Sequence, residues 1–176
     1  MALSLYDVGV GNYLQALDAI SAFLAKGLAH CADTKRNPEE IVETRLIGDM
    51  LPFRFQVTQT AFHSAGAADA ILTGAVKFPT ERPQYDYAGL QKVVADAAVR
   101  VRAIDPAAFN AREGKDVVFE VPGRPTRVFS AEGFLLSFSL PNLYFHAATA
   151  YDILRSQGAP VGKQDFMGAL RLKLHG

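Results

Sequence analysis

Residues 130–158, SAEGFLLSFSLPNLYFHAATAYDILRSQG, constrain the fold of this chain more than any other stretch. They read as one long helix, apolar around most of its circumference, and such a helix belongs in the middle of a domain. Ser130 is placed to cap it, Glu132 favours its positive end, and Gly158 followed by Pro160 stops it. Asn142 and His146 lie four residues apart on one face, and Thr149 continues that face. Polar groups on a buried helix are costly unless paired, so any function concentrates at this pair. Pro141 removes one backbone hydrogen bond. It predicts a bend near Ser137 that would open a small cavity beside Asn142 and His146.

Three further helical patterns precede it. Over residues 4–30, Tyr13, Leu17, Ile20, Leu24 and Leu28 recur at steps of three and four, while Gly9 and Gly11 weaken the first turns. Asn37, Pro38 and two glutamates predict a cap and a short helical turn. A second helix is expected from Met50 to Gly74, with Asp49 as its cap and Pro52 in its first turn. A third, over residues 86–104, carries the stripe Tyr87, Leu90, Val94, Ala98, Val101 and Ile104, and Asp105-Pro106 ends it. A loop containing Pro79 and Pro83 separates the second and third helices. Residues 115–129 change to a period of two around PGRP, which predicts a hairpin turning at residues 122–125. The tail is expected to lie as a strap docked through Phe166 and Met167. The pattern predicts an all-α chain: one domain over residues 1–176, a four-helix bundle of the up-and-down type, with a small β-hairpin before the last helix.

Composition excludes several functions. Eighteen basic residues balance eighteen acidic ones, whereas a nucleic-acid binder carries a basic surplus. No apolar run reaches the length needed to span a membrane, and residues 1–10 do not read as a signal peptide. Cys31 is the single cysteine, so no internal disulfide forms and a reducing cytoplasm is the expected setting. His30, Lys35 and Arg36 could activate its thiol, but a half-buried helix-end cysteine is the simpler reading. No phosphate loop, nucleophile elbow or H-E-x-x-H zinc motif is present, and GVGNYL lacks the strand–turn–helix context of a dinucleotide fingerprint.

Gln56, Gln59 and His63 share a face of the second helix. Arg45, Asp49 and Arg54 could rim a pocket there, and Asp152 and Arg155 are spaced for a local ion pair. His30 and His175 read as solvated, and Tyr144 and Tyr151 as core or interface.

The runs LPNLYFHAATAYDILR, GAPVGKQDF and RLIGDMLPFRFQV, with the hairpin before the last helix, resemble the domain-of-unknown-function family numbered 1993. That family is similar to the DinB/YfiT-like four-helix bundles, many of them metal-dependent enzymes, often dimeric, some of them thiol transferases. The resemblance implies that the faces of the second and fourth helices meet in a polar pocket. It also implies a metal triad with one histidine from the second helix and two from the fourth. Aligned on the end of the fourth helix, the last of these falls on His146, the other on Asn142, and the second-helix histidine near Gln59, with His63 one turn further on. Two imidazoles are thus replaced by amides, which are weak ligands for zinc or nickel.

Three readings stay open. The first is a bundle with a small-molecule pocket formed by His146, Asn142, Gln59, His63, Thr149 and Gln56, needing no cofactor. The second is a variant metalloenzyme, a hydrolase or thiol-transferase, holding zinc or nickel on His146 and His63. The third is a homodimeric interaction module. A polar network that only fixes the bundle register is the structural counterpart of all three.

Overall fold

A computed structural model describes residues 3–78, 83–121 and 123–172. Pro79, Pro122 and His175 lie outside the described residues.

Helix α1, Leu5–Thr34, starts on a capping box. The Ser4 hydroxyl accepts from the Asp7 N–H at 3.1 Å, and the Asp7 carboxylate accepts from the Ser4 N–H at 3.2 Å. This cap carries the helix through Gly9 and Gly11, so the first turns are regular despite their low propensity, and the helix continues four residues past residue 30. Tyr13, Leu17, Ile20 and Leu24 are buried as expected, but Leu28 is partly exposed. Helix α2, Glu39–Val42, is the short turn after Pro38.

Helix α3 covers residues 53–73. It is α-helical over Phe53–Ala61 and Ala67–Thr73, with a π-helical turn, Phe62–Gly66, between them. It does not start at Met50, and Asp49 is not its cap. Pro52, in extended conformation, occupies the cap position, and Asp49 sits exposed in the preceding turn. Gly74 (φ 82°) provides the left-handed stop that a Cβ would resist.

Helix α4, Tyr87–Arg102, is capped by Asp86, which accepts from the Gly89 N–H at 2.7 Å. Asp105-Pro106 ends its path and opens the short α5, Pro106–Asn110. Strands β1, Asp116–Phe119, and β2, Arg127–Ser130, form the antiparallel hairpin, with Val117 opposite Phe129. The chain after α3 adds a parallel bridge to β1, through Val76 N–H to the Val118 carbonyl and Val118 N–H to the Gly74 carbonyl, both 2.8 Å.

Helix α6 covers residues 131–156: Ala131–Phe134, a π-helical turn Leu135–Ser139, then Leu140–Ser156. The disturbance expected from Pro141 is therefore a change of winding over the preceding turn. Proline supplies no N–H, and a π turn shifts the ladder by one residue. Helix α7, Lys163–Met167, is the docking strap. Phe166 meets Tyr151 edge-on at 5.8 Å, the Met167 carbonyl accepts from Gln15 at 2.9 Å, and Lys26 pairs with Asp165 at 2.6 Å.

The four long helices form the bundle. Helix α1 packs along α4 and α6, and α3 packs along α4 and α6. The consecutive helices α1 and α3 thus occupy opposite corners, which departs from an up-and-down meander of side-by-side neighbours. Helix α6 is also less central than its composition suggests. Leu136 and Phe145 are 57% and 56% exposed, although α1, α3 and the strap α7 all pack on this helix. The Asp152–Arg155 pair does not form; Arg155 donates to the Val161 carbonyl and braces the strap. Cys31 is fully buried, and burial pushes its thiol pKa up against the smaller pull of Arg36, which removes the activated-thiol reading.

Packing is tight where α1 meets α4 and α6. A Cβ on Gly27 would lie 2.5 Å from the Tyr87 hydroxyl and 2.7 Å from Leu154 Cδ1. On Gly11 it would meet only the mobile end of Arg171. Gly27→Ala is expected to destabilise the fold by about 1–3 kcal/mol. Gly11→Ala is expected to be neutral or to stabilise by up to about 1 kcal/mol. Urea denaturation of the two variants measures the contrast, and equal midpoints would contradict this packing.

Candidate functional site

Two π turns face each other across the α3–α6 contact. Ser139, in the turn of α6, is fully buried and donates its hydroxyl proton to the His63 carbonyl, in the turn of α3, at 2.8 Å. Its oxygen lies 2.5 Å from the Tyr13 hydroxyl. Ser139 has one proton and spends it on His63, so Tyr13 is the donor. Three helices are thereby tied at one level. Burial raises the Tyr13 pKa, against a smaller lowering by Ser139, and keeps it a donor.

This tie holds His63 beside His146. Their rings are nearly parallel, 14° apart, with centroids at 5.5 Å. Phe62 and Phe138 meet His63 edge-on at 4.9 and 5.4 Å, and Phe55 and Phe145 meet His146 at 5.9 and 5.3 Å. The pair is thus enclosed in aromatic side chains. Burial, with a smaller contribution from His146, pushes His63 down to about 3, and burial pushes His146 down to about 4. Both imidazoles are neutral near neutral pH.

Gln56 fixes the tautomer of His146. Its amide nitrogen donates to the Leu51 carbonyl at 2.8 Å, which turns its oxygen toward His146 Nδ1, also at 2.8 Å. An amide oxygen only accepts, so Nδ1 carries the proton and Nε2 presents a lone pair. His63 is different. It is 5% exposed, and its Nδ1 is buried with no hydrogen-bond partner. An orphaned buried polar atom is costly and requires an explanation.

Both rings open onto a groove of about 1310 Å³. Gln59, Asn142, Phe55, Phe62 and Phe138 line it with them, and Arg45 and Arg54 stand over its end at the start of α3. The α3 and α6 faces singled out in the sequence therefore do meet. Asn142 does not bond His146; it donates to the Phe138 carbonyl at 2.7 Å, on its own helix. Thr149 is buried, donates to the Phe145 carbonyl, and does not line the groove. Gln56 supports from behind. Asp49 is absent from the rim, and Tyr144 lines a separate cavity of about 300 Å³ under the strap.

The sequence reading missed Ser139, Tyr13 and the aromatic enclosure. Phe138 could have been found four residues before Asn142, but nothing local marks Tyr13 as the partner of a serine 126 residues away.

The metal triad implied by the family resemblance does not fit this donor set. His63 and His146 are two imidazoles, and the third position is the Asn142 amide, committed to its own helix. Among the described residues no group of three histidine, cysteine, aspartate or glutamate side chains is placed to hold an ion.

The lowered imidazole pKa values have a stability consequence. A free imidazole titrates near about 6.5. Below that pH the unfolded chain binds protons that the folded chain refuses. The contribution is complete above about pH 6.5 and is lost as pH falls toward about 4 for His146 and about 3 for His63. The urea midpoint is expected to drop across this window. A His63→Gln/His146→Gln variant should show a flatter pH profile, and an unchanged slope would contradict the buried neutral pair.

Comparison with known proteins agrees with this layout. Residues 5–167 match the family described as Domain of unknown function (DUF1993). A crystal structure of a DinB family member protein from Shewanella denitrificans is similar at a TM-score of 0.78 and 26% sequence identity, covering 97% of this chain and 96% of that one. No curated protein matches the chain. No helix among the described residues is long and apolar enough to cross a membrane. With the match spanning most of its length and a four-helix bundle like that of a DinB family member, the chain belongs to the DUF1993 family.

Proposed function

We propose that this protein binds a small organic molecule in the α3–α6 groove, with the ligand's polar group against the His63–His146 pair. The observation that carries this reading is the unpartnered Nδ1 of the buried His63 beside an open groove. A pair that served only to fix helix register would be satisfied internally, as Gln56, Asn142 and Thr149 are. In this reading the metal site of the wider superfamily is degenerate, and the groove works without an ion. The setting is the cytoplasm, where the single cysteine stays a thiol. Two copies associate through the exposed apolar side of α6, at Leu136, Tyr144 and Phe145.

Protein purified without added metal, dialysed, and challenged with zinc, nickel and manganese is the test. Bound metal is expected to stay well below stoichiometric. A naphthol, an aromatic ring with one hydroxyl donor, is expected to bind in the presence of a chelator and to weaken in His146→Ala. Near-stoichiometric metal that disappears in His146→Ala would overturn the reading in favour of a metalloenzyme. Light scattering over a dilution series checks the association. A dimer mass that Leu136→Asp reduces to a monomer mass is expected, and a monomer at all concentrations would remove the α6 interface.

A further inference from the structure

We infer that the groove is selective for an anionic amphiphile, a compact organic acid with an apolar body and a hydroxyl or amide donor. This inference rests on the small-molecule reading above and adds the ligand's charge and the position of its acid group.

Charge is the first argument. Among the described residues the groove is lined by Arg45, Arg54, Lys77 and Arg100 against one carboxylate, Asp69. Arg100 pairs with Asp69, and Arg54 gives its Nε to Glu43 at 2.5 Å. Counting both partners, four positive charges face two negative ones among the described residues. Among the described residues Arg45 has no carboxylate partner, and its guanidinium donates to the Met50 carbonyl.

Part of this excess lies at the start of α3, where Arg45 stands without a carboxylate among the described residues. Arg45 and Arg54 flank the start of α3, together with Leu51, Pro52 and Phe55. That helix end has no side-chain cap and no acidic residue in its first turn. Its positive end therefore adds to the two guanidinium groups instead of being offset. The independent sign of a ligand is the 95%-buried His63, whose Nδ1 has no partner and whose ring lines the same groove.

The spacing sets the size. His146 is bonded to Gln56, two residues beyond Arg54, and His63 lies nine residues beyond it. At about 1.5 Å of rise per residue, the imidazole pair sits on the order of 3–13 Å along α3 from the arginine end. Phe55, Phe62 and Phe138 wall the interval. One fused aromatic ring system, or a branched aliphatic body of that length, reaches from the arginines to the imidazoles. His146 Nε2 offers an acceptor, so the far end of the ligand needs a donor rather than a second acid. A cationic ligand would meet the arginines with like charge.

The test uses a matched set: a hydroxynaphthoate, the naphthoate without the hydroxyl, the naphthol without the acid, and an aminomethyl naphthol. The chain has no tryptophan, so naphthalene fluorescence reports binding with little background. At low salt near neutral pH, the hydroxynaphthoate is expected to bind about ten-fold more tightly than the naphthol, the range of one charge-assisted hydrogen bond. Added salt should shrink that ratio. The Arg45→Gln/Arg54→Gln variant should bring it close to one, while Lys92→Gln, on an exposed position outside the groove, should leave it unchanged. His146→Ala should lower hydroxynaphthoate binding to the level of the naphthoate.

Equal binding of acid and alcohol, or tighter binding of the amine, overturns the inference and leaves the small-molecule reading standing. Binding of none of the four overturns both. A variant that fails to fold is bypassed by the salt dependence of the wild-type protein, where a salt-independent ratio also overturns the inference.

Discussion

The Ser139 hydroxyl is the interaction on which the site depends. It joins Tyr13 of α1, its own helix α6 and the His63 carbonyl of α3, in a region with no access to water. A π turn displaces backbone groups from the usual ladder, and buried groups without partners cost free energy. Both π turns sit at this level, and Ser139 supplies the cross-link between them. The winding change in α3 places His63 toward the groove. The one in α6 accommodates Pro141 and sets the register in which His146 follows. The cross-link fixes the backbone that carries His63, while Gln56 holds the His146 ring.

The electrostatics follow from that placement. Two imidazoles held together among phenylalanines are kept neutral by desolvation, so they act as hydrogen-bonding groups rather than charges. Gln56 then makes them unequal. It fixes the proton of His146 on Nδ1, while His63 Nδ1 has no fixed partner. The arginine-bearing end of the groove supplies the charge that the centre lacks. Apolar walls, a neutral acceptor and a cationic rim come from different elements and meet beside α3, which supplies much of the groove's lining.

Periodicity located the helices and their stripes, and the deviations are instructive. Asp49 has the chemistry of a cap, but the turn before α3 keeps the chain extended to Pro52, so the helix starts later. Asp152 and Arg155 have the spacing of an ion pair, but Arg155 is used to hold the strap. Asn142 and His146 share a face as expected, yet the Asn142 amide satisfies the Phe138 carbonyl beneath it. Arg155 and Asn142 each took a backbone carbonyl within six residues in place of a side-chain partner.

The sequence by itself determined the number of long helices, the hairpin, most of the buried stripes and the two faces that carry the polar residues. Those features follow from patterns within one element, where spacing alone decides which side chains share a face. It also put His63 and His146 on those two faces, although His63 taken alone read as a surface or satisfied histidine. The tertiary structure decided which helices are neighbours, with α1 and α3 on opposite corners, and left one side of α6 exposed. It decided the π winding, the Tyr13–Ser139–His63 link and the tautomer of His146. The link and the tautomer depend on hydrogen bonds between residues 76 to 126 positions apart, a separation at which no periodic pattern carries information.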